Sequence, residues 1–227
     1  MKKIALIFVF LLFFSAFSLT FGSYVDWQEL KSNYFNEITK FQPSLLVTNP
    51  FYSLKFKLYS LLPNNKDKIW NYLDEILAQA IFYREQNKEL VEYLLNQYFK
   101  NLKLAKPVDV QKLVDHFFIL SFLEKELNRQ GLADELLILV KENDLVQLES
   151  ILKKKSEFES FYFLFKLSLI ADENVKNKIE NLLAEKEFAV IDFIILLSDK
   201  DWQEFKENSP YDKITILYLE FMRNLAK

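Results

Sequence analysis

The chain of 227 residues has no cysteine, one histidine and two glycines. Without thiols there is no disulfide framework, no zinc–thiolate cluster and no cysteine nucleophile. The lone histidine, His116, restricts nucleophilic catalysis to one Ser-His-Asp set. It sits mid-helix in Asp115-His116-Phe117-Phe118, and no serine occupies a nucleophile elbow. His116 therefore reads as a structural residue. Glycine is the more diagnostic shortage, because Gly22 and Gly131 are too few for the turns, bulges and phosphate loops of β and α/β folds. The expected fold class is all-α.

Other absences narrow the chemistry. Zinc and di-iron sites need His clusters or Glu-x-x-His, and Leu113 stands three residues before His116. Residues 64–67 and 172–174 are acidic or amide-rich, but turn and cap roles account for them. Ser150-Ile151-Leu152-Lys153 matches a Ser-x-x-Lys pattern without the Lys-Thr-Gly strand that would accompany it. Three adjacent acid pairs remain: Asp74-Glu75, Asp134-Glu135 and Asp172-Glu173. They would suit a carboxylate-pair hydrolase only if a cleft raised one pKa. No catalytic, cofactor-binding or metal-ligating residue is assigned, and the chain is not expected to be an enzyme.

What is present begins with residues 1–23. Lys2 and Lys3 lead into an unbroken apolar run, 4–14, followed by a more polar stretch ending in Thr20-Phe21-Gly22. This is the basic, apolar and small-residue order of a secretory signal peptide, cut between Gly22 and Ser23. The rival is an uncleaved anchor over 4–21. At ~1.5 Å per helical residue the strictly apolar part falls well short of a ~30 Å hydrocarbon core. The expected localisation is extracytoplasmic, with 1–22 as signal and 23–227 as a single helical domain. A seam is expected near 106–108, where Lys106-Pro107 breaks the helical pattern.

The leader holds two of the 29 basic residues and none of the 32 acidic ones, which leaves the remainder five charges net negative. With Lys and Glu interleaved and no basic block, the chain is unsuited to nucleic acid. The 23 Phe and 11 Tyr rise together with Ile, Asn and Lys. That pattern of nucleotide bias outweighs a reading as an aromatic cavity.

Helix punctuation recurs after the leader. Asp26 with Glu29, Ser156 with Glu159 and Asp201 with Glu204 are capping-box patterns. Trp27, Leu30, Tyr34, Ile38 and Phe41 make the first stripe, and Pro43 ends that helix. Asn49-Pro50 restarts the chain as a helix toward residue 62, although the alternation over 54–58 also suits a strand, and 63–65 form a loop. A strong stripe follows over 69–81, then a break near Asn87 and another helix over 90–102. Asp109 caps a long helix running to Gly131, placed as the left-handed C-terminal residue. Further helices are expected over 132–142, 145–154, 157–171, 175–185, 188–197 and 202–207. Those around 158–170 and 188–197 are apolar nearly all round and are placed in the core. A last helix from Ser209-Pro210 carries Ile214, Leu217, Tyr218, Phe221, Met222 and Leu225, expected to close that core.

Segments 138–152, 169–183 and 195–208 echo one another, with turn caps at Asp144, Asn174 and Asp201 separated by 30 and 27 positions. Such a period belongs to stacked helix hairpins. It resembles tetratricopeptide-like repeats, which pair two helices per unit and bind peptides on a concave face. Gly131 followed by Leu136 falls where that family keeps a glycine and then a small residue. The small residue and the tryptophan–leucine–glycine opening are missing, so stacked hairpins are expected without membership.

The expected architecture is an irregular α-solenoid-like array or multi-helix bundle of about ten to twelve helices. The expected function is protein or peptide binding, as a scaffold module of the cell envelope, with exposed aromatics along a groove as anchors. The alternative is a carrier of a lipid-like apolar ligand, and the carboxylate-pair hydrolase comes third.

Overall fold

The computed structural model describes residues 26–40, 66–105, 108–185 and 189–226, together with residues 54, 58 and 61. The leader, the stop at Pro43, the restart at Asn49-Pro50, the 63–65 loop and the Lys106-Pro107 break lie outside the described residues. Positions 54, 58 and 61 are helical, as expected for that stretch.

The protein is all-helical, and among the described residues there is no strand. Eleven α-helices are described: α1 Trp27–Thr39, α2 Lys66–Tyr83, α3 Lys88–Leu102, α4 Val110–Leu127, α5 Asp134–Leu137, α6 Leu145–Leu152, α7 Glu157–Ile170, α8 Glu173–Glu185, α9 Ala189–Leu196, α10 Asp199–Asn208 and α11 Lys213–Ala226. A 3₁₀ turn, Glu142–Asp144, leads into α6.

Four helix starts follow directly from the capping residues. Asp26 accepts from the backbone N–H of Gln28 and Glu29 at 2.9 and 3.0 Å. Asn87 accepts from Leu90 N at 3.0 Å, and Asp109 from Lys112 N at 3.2 Å. At α7 the box closes both ways, with Glu159 N donating to Ser156 Oγ and Ser156 N to Glu159 Oε2. Each cap satisfies amides that have no partner within the helix.

Other boundaries move. The α4 helix ends at Leu127 with Asn128 left-handed (φ 52°), so Asn128 takes the role assigned to Gly131. Gly131 does have positive φ (85°), but in the turn beyond. There the Glu124 carboxylate accepts from Gly131 N at 2.7 Å and Ala133 N at 3.4 Å. Only Asp134–Leu137 of the expected 132–142 helix is helical. The cap of α8 is Asp172 rather than Asn174, since Val175 N donates to it at 3.1 Å. Asp144 makes no side-chain cap of α6, and its carboxylate accepts from Lys141 N instead. The cap of α10 is Ser198, with Asp201 at the third helical position. The last helix begins after Asp212, which accepts from Thr215 N at 2.7 Å, while Ser209, Pro210 and Tyr211 are buried ahead of it.

Sequential pairs such as α2–α3 and α7–α8 pack as hairpins, but contacts also jump along the chain. The α1 helix packs on α2 and α4. Trp27 sets its ring edge-on to Phe158, Phe205 and Tyr211 at centroid distances of 6.0, 6.1 and 5.5 Å. In a one-dimensional array each unit touches only its neighbours. Of the two arrangements expected, a multi-helix bundle describes these contacts. The α4 and α7 helices supply its centre, with Phe117, Phe118, Tyr162 and Phe163 fully buried against one another.

Two core assignments are corrected. The α9 helix is only half buried, with Val190 and Ile194 inward and Asp192 and Leu196 exposed. On α11 most of the stripe expected inside faces outward, with Ile214, Leu217, Phe221 and Leu225 55–67% exposed, while Tyr218 and Met222 are half-buried and Tyr218 stacks on Phe165 at 4.9 Å. The inward residues are Thr215, Leu219 and Arg223. Arg223 fixes this rotation, because its guanidinium donates to Ile194 O, Leu197 O and Asp199 Oδ1 at 3.2, 2.7 and 2.8 Å and lies over the Trp202 ring. Phe221→Ser is accordingly expected to change unfolding free energy by no more than about 0.5 kcal/mol. Leu219→Ala should cost about 2–5 kcal/mol. Urea denaturation of the two variants checks this, and equal losses would place the stripe in the core after all.

Candidate functional site

Between α1 and α4 lies an open groove of about 670 Å³. Its residues on α1 are Leu30, Asn33, Tyr34, Glu37 and Ile38, spaced so that they share one helical face. Gln111, Lys112, Asp115, His116 and Ile119 do the same on α4. Asp74 enters from α2, Lys154 and Lys155 from the turn after α6, and Glu159 from the first turn of α7. Half-buried Leu30 provides aliphatic surface above a floor formed by the almost fully buried Ile38 and Ile119, and charged groups of both signs surround it.

His116 is the hub of one polar cluster. Its Nε2 lies 2.7 Å from Asp74 Oδ1, and its Nδ1 lies 2.9 Å from the Tyr98 hydroxyl. An ionised carboxylate only accepts, so Nε2 must carry the proton. Lys112 donates to Asp74 Oδ2 at 2.6 Å and to Asn71 Oδ1 at 2.7 Å. Burial pushes the Asp74 carboxyl up, but the His116 bond and charge, then Lys112, overcome it and hold its pKa below the ordinary 3.8. Tyr98 is pushed well above the usual phenol range by burial and by the charge of Asp74, so it remains neutral. Both nitrogens of His116 are engaged, and the ring is 2% exposed.

A second cluster centres on Tyr34. Its hydroxyl donates to Glu159 Oε1 at 2.5 Å and accepts from Lys155 Nζ at 2.7 Å. Burial first, and the Glu159 charge second, raise its pKa far beyond the titratable range. Lys155 also reaches Asp115 Oδ1 at 2.8 Å, while Gln111 donates to Asp115 Oδ2 at 2.9 Å. Glu159 is further held by the Ser156 hydroxyl at 2.7 Å. Among the described residues the groove thus carries four acids and three lysines, and its buried charges are neutralised by one another.

The structure separates each adjacent acid pair. Asp74 faces the groove, whereas Glu75 is no part of its lining and has its carboxyl raised by burial. Asp134 pairs with Lys166 at 2.7 Å and Glu135 is exposed. Asp172 caps α8 while Glu173 is exposed. Neighbours on a helix point about 100° apart, so adjacency in sequence rarely makes a shared site. Ser150 and Lys153 lie on exposed helix surface, with Lys153 paired to Glu149. Among the described residues no group of three or more His, Cys, Asp or Glu is placed to hold a metal ion, and no helix is long and apolar enough to cross a membrane.

Among the described residues, Tyr34 is the one Phe, Tyr or Trp lining the groove, and most aromatic side chains described are in the core. Asp74 and Tyr98 lie 42 and 18 residues from His116, and no local pattern links them. Comparison with protein-family models, with characterised proteins and with solved structures returns no match.

Proposed function

We propose that the chain is an exported binding module of the cell envelope that holds a segment of a protein partner in the groove between α1 and α4. The observation that carries this reading is the groove itself, at about 670 Å³ with aliphatic surface beneath charges already bonded to one another. Volumes of this size suit a bound ligand or a few residues of a peptide. Walls whose charges are already compensated offer shape and contact area rather than reactive groups. A general acid needs a raised pKa, yet Asp74 is held low, and the carboxyls raised by burial, Glu75 and Glu124, lie outside the lining. The aliphatic surface also admits an acyl chain, the alternative occupant.

Export rests on residues 1–22, and the intact mass of the mature protein should lack them. A photo-cross-linking residue placed in cells at Glu37, exposed on the groove rim, is expected to capture one defined polypeptide. The same residue at Gln203, exposed on α10, should not. Identical products from both positions, or none from Glu37, would overturn the groove as the binding surface.

A further inference from the structure

We infer that the groove selects an acidic, aliphatic segment of its partner, with Lys154 reading the charge. This deepens the peptide-binding proposal and rests on it. Each carboxylate in the lining is engaged among the described residues: Asp74 by His116 and Lys112, Asp115 by Lys155 and Gln111, Glu159 by Tyr34 and Ser156, and Glu37 by Lys40 in a pair exposed to solvent. Two of the three lysines in the lining, Lys112 and Lys155, are tied to those acids. Lys154 is exposed, and among the described residues its ammonium has no bonding partner. A basic segment entering the groove would meet Lys154 and no uncommitted acid. An acidic one gains a charge-assisted bond without breaking an existing pair.

The remaining contacts favour a polypeptide over a free fatty acid. Asn33 presents an unengaged amide on α1, with both a donor and an acceptor for a main-chain peptide group. Half-buried Leu30, above the floor formed by Ile38 and Ile119, then faces an aliphatic side chain beside the acid. An acyl chain would use that surface and Lys154 but leave Asn33 idle.

The test uses the mature protein and two pools of short fluorescent peptides. Both pools are randomised over Leu, Ile, Val and Ala, and one carries Asp and Glu where the other carries Lys and Arg. Fluorescence anisotropy should show binding of the acidic pool and little of the basic one. Lys154→Glu should weaken the acidic pool by about tenfold, through loss of an ion pair and gain of a like charge. Asn33→Trp, at an exposed position, should abolish binding of both pools while leaving the thermal midpoint unchanged. If Asn33→Trp abolishes binding but Lys154→Glu does not weaken the acidic pool, the groove stands and the charge selection is overturned. If Asn33→Trp has no effect, the groove itself is wrong. Displacement of the acidic pool by equimolar laurate would assign the site to a fatty acid and overturn the peptide.

Discussion

Asp74→Ala is expected to destabilise the fold by about 3–5 kcal/mol, the range for breaking a buried charged pair by removing one partner. For a chain of this size that is a fall in thermal midpoint on the order of 10 °C. Asp74 is 5% exposed and accepts from both His116 Nε2 and Lys112 Nζ. Lys112 keeps Asn71 and can turn toward the groove, since its side chain is 28% exposed. His116 has no such outlet. Its Nε2–H would be left in a site that is 2% exposed, against the ring of Trp70, and an unmatched buried donor costs about 1–3 kcal/mol by itself. Asp74→Asn keeps an acceptor for that N–H and should lose roughly half as much. Thermal melts of the two variants decide this; indistinguishable midpoints for Asp74→Ala and the wild type would remove the cluster from any structural role.

The same cluster sets a pH dependence. Asp74 has a folded pKa below its ordinary 3.8. Its contribution is therefore fully present above that ordinary value and is lost as pH falls through the folded one. The stability gap between wild type and Asp74→Asn should be constant near neutrality and shrink in strong acid. A gap that widened on acidification would mean that Asp74 is protonated in the native state.

Sequence reading succeeded where one residue and its immediate neighbours decide the outcome. Asp26, Asp109 and Ser156 cap their helices because the side chain needs only the next two or three amides, all nearby in the chain. It failed where adjacent residues competed. Ser198 and Asp201 are both competent caps, and the hydroxyl of Ser198 takes the role while also donating to Asp201 Oδ2. On α11 periodicity found the apolar stripe but could not orient it, because a partner's backbone sets the rotation through Arg223. The groove was less legible still. Its polar pairs join α1 to α7, α2 to α4 and α4 to the turn after α6, and a helix pattern carries no information about which helix lies opposite. His116 is held through both ring nitrogens, and what holds it is tertiary.

A second such junction predicts the other large effect. Lys166 on α7 is 4% exposed in its side chain, yet it pairs with Asp134 of α5 at 2.7 Å and with Asp212 ahead of α11. Burial lowers its pKa, but the bonds and charges of Asp134 and Asp212 outweigh that and leave it raised above 10.5. Its contribution is therefore fully present below pH 10.5 and lost only as pH rises through the higher folded value. Lys166→Met should cost about 3–5 kcal/mol at neutral pH. Asp134 can turn to solvent, being 33% exposed, whereas Asp212 at 9% would keep an unpaired charge beside the amide it caps. Adding Asp212→Asn removes that charge while preserving an acceptor for Thr215 N. The double variant should thus be more stable than Lys166→Met alone, with a coupling of about 1–3 kcal/mol in a double-mutant cycle. Additive losses would show that the two residues act independently. The expected coupling would make the Lys166 junction, rather than the outward stripe of α11, the feature that ties the last helix to the bundle.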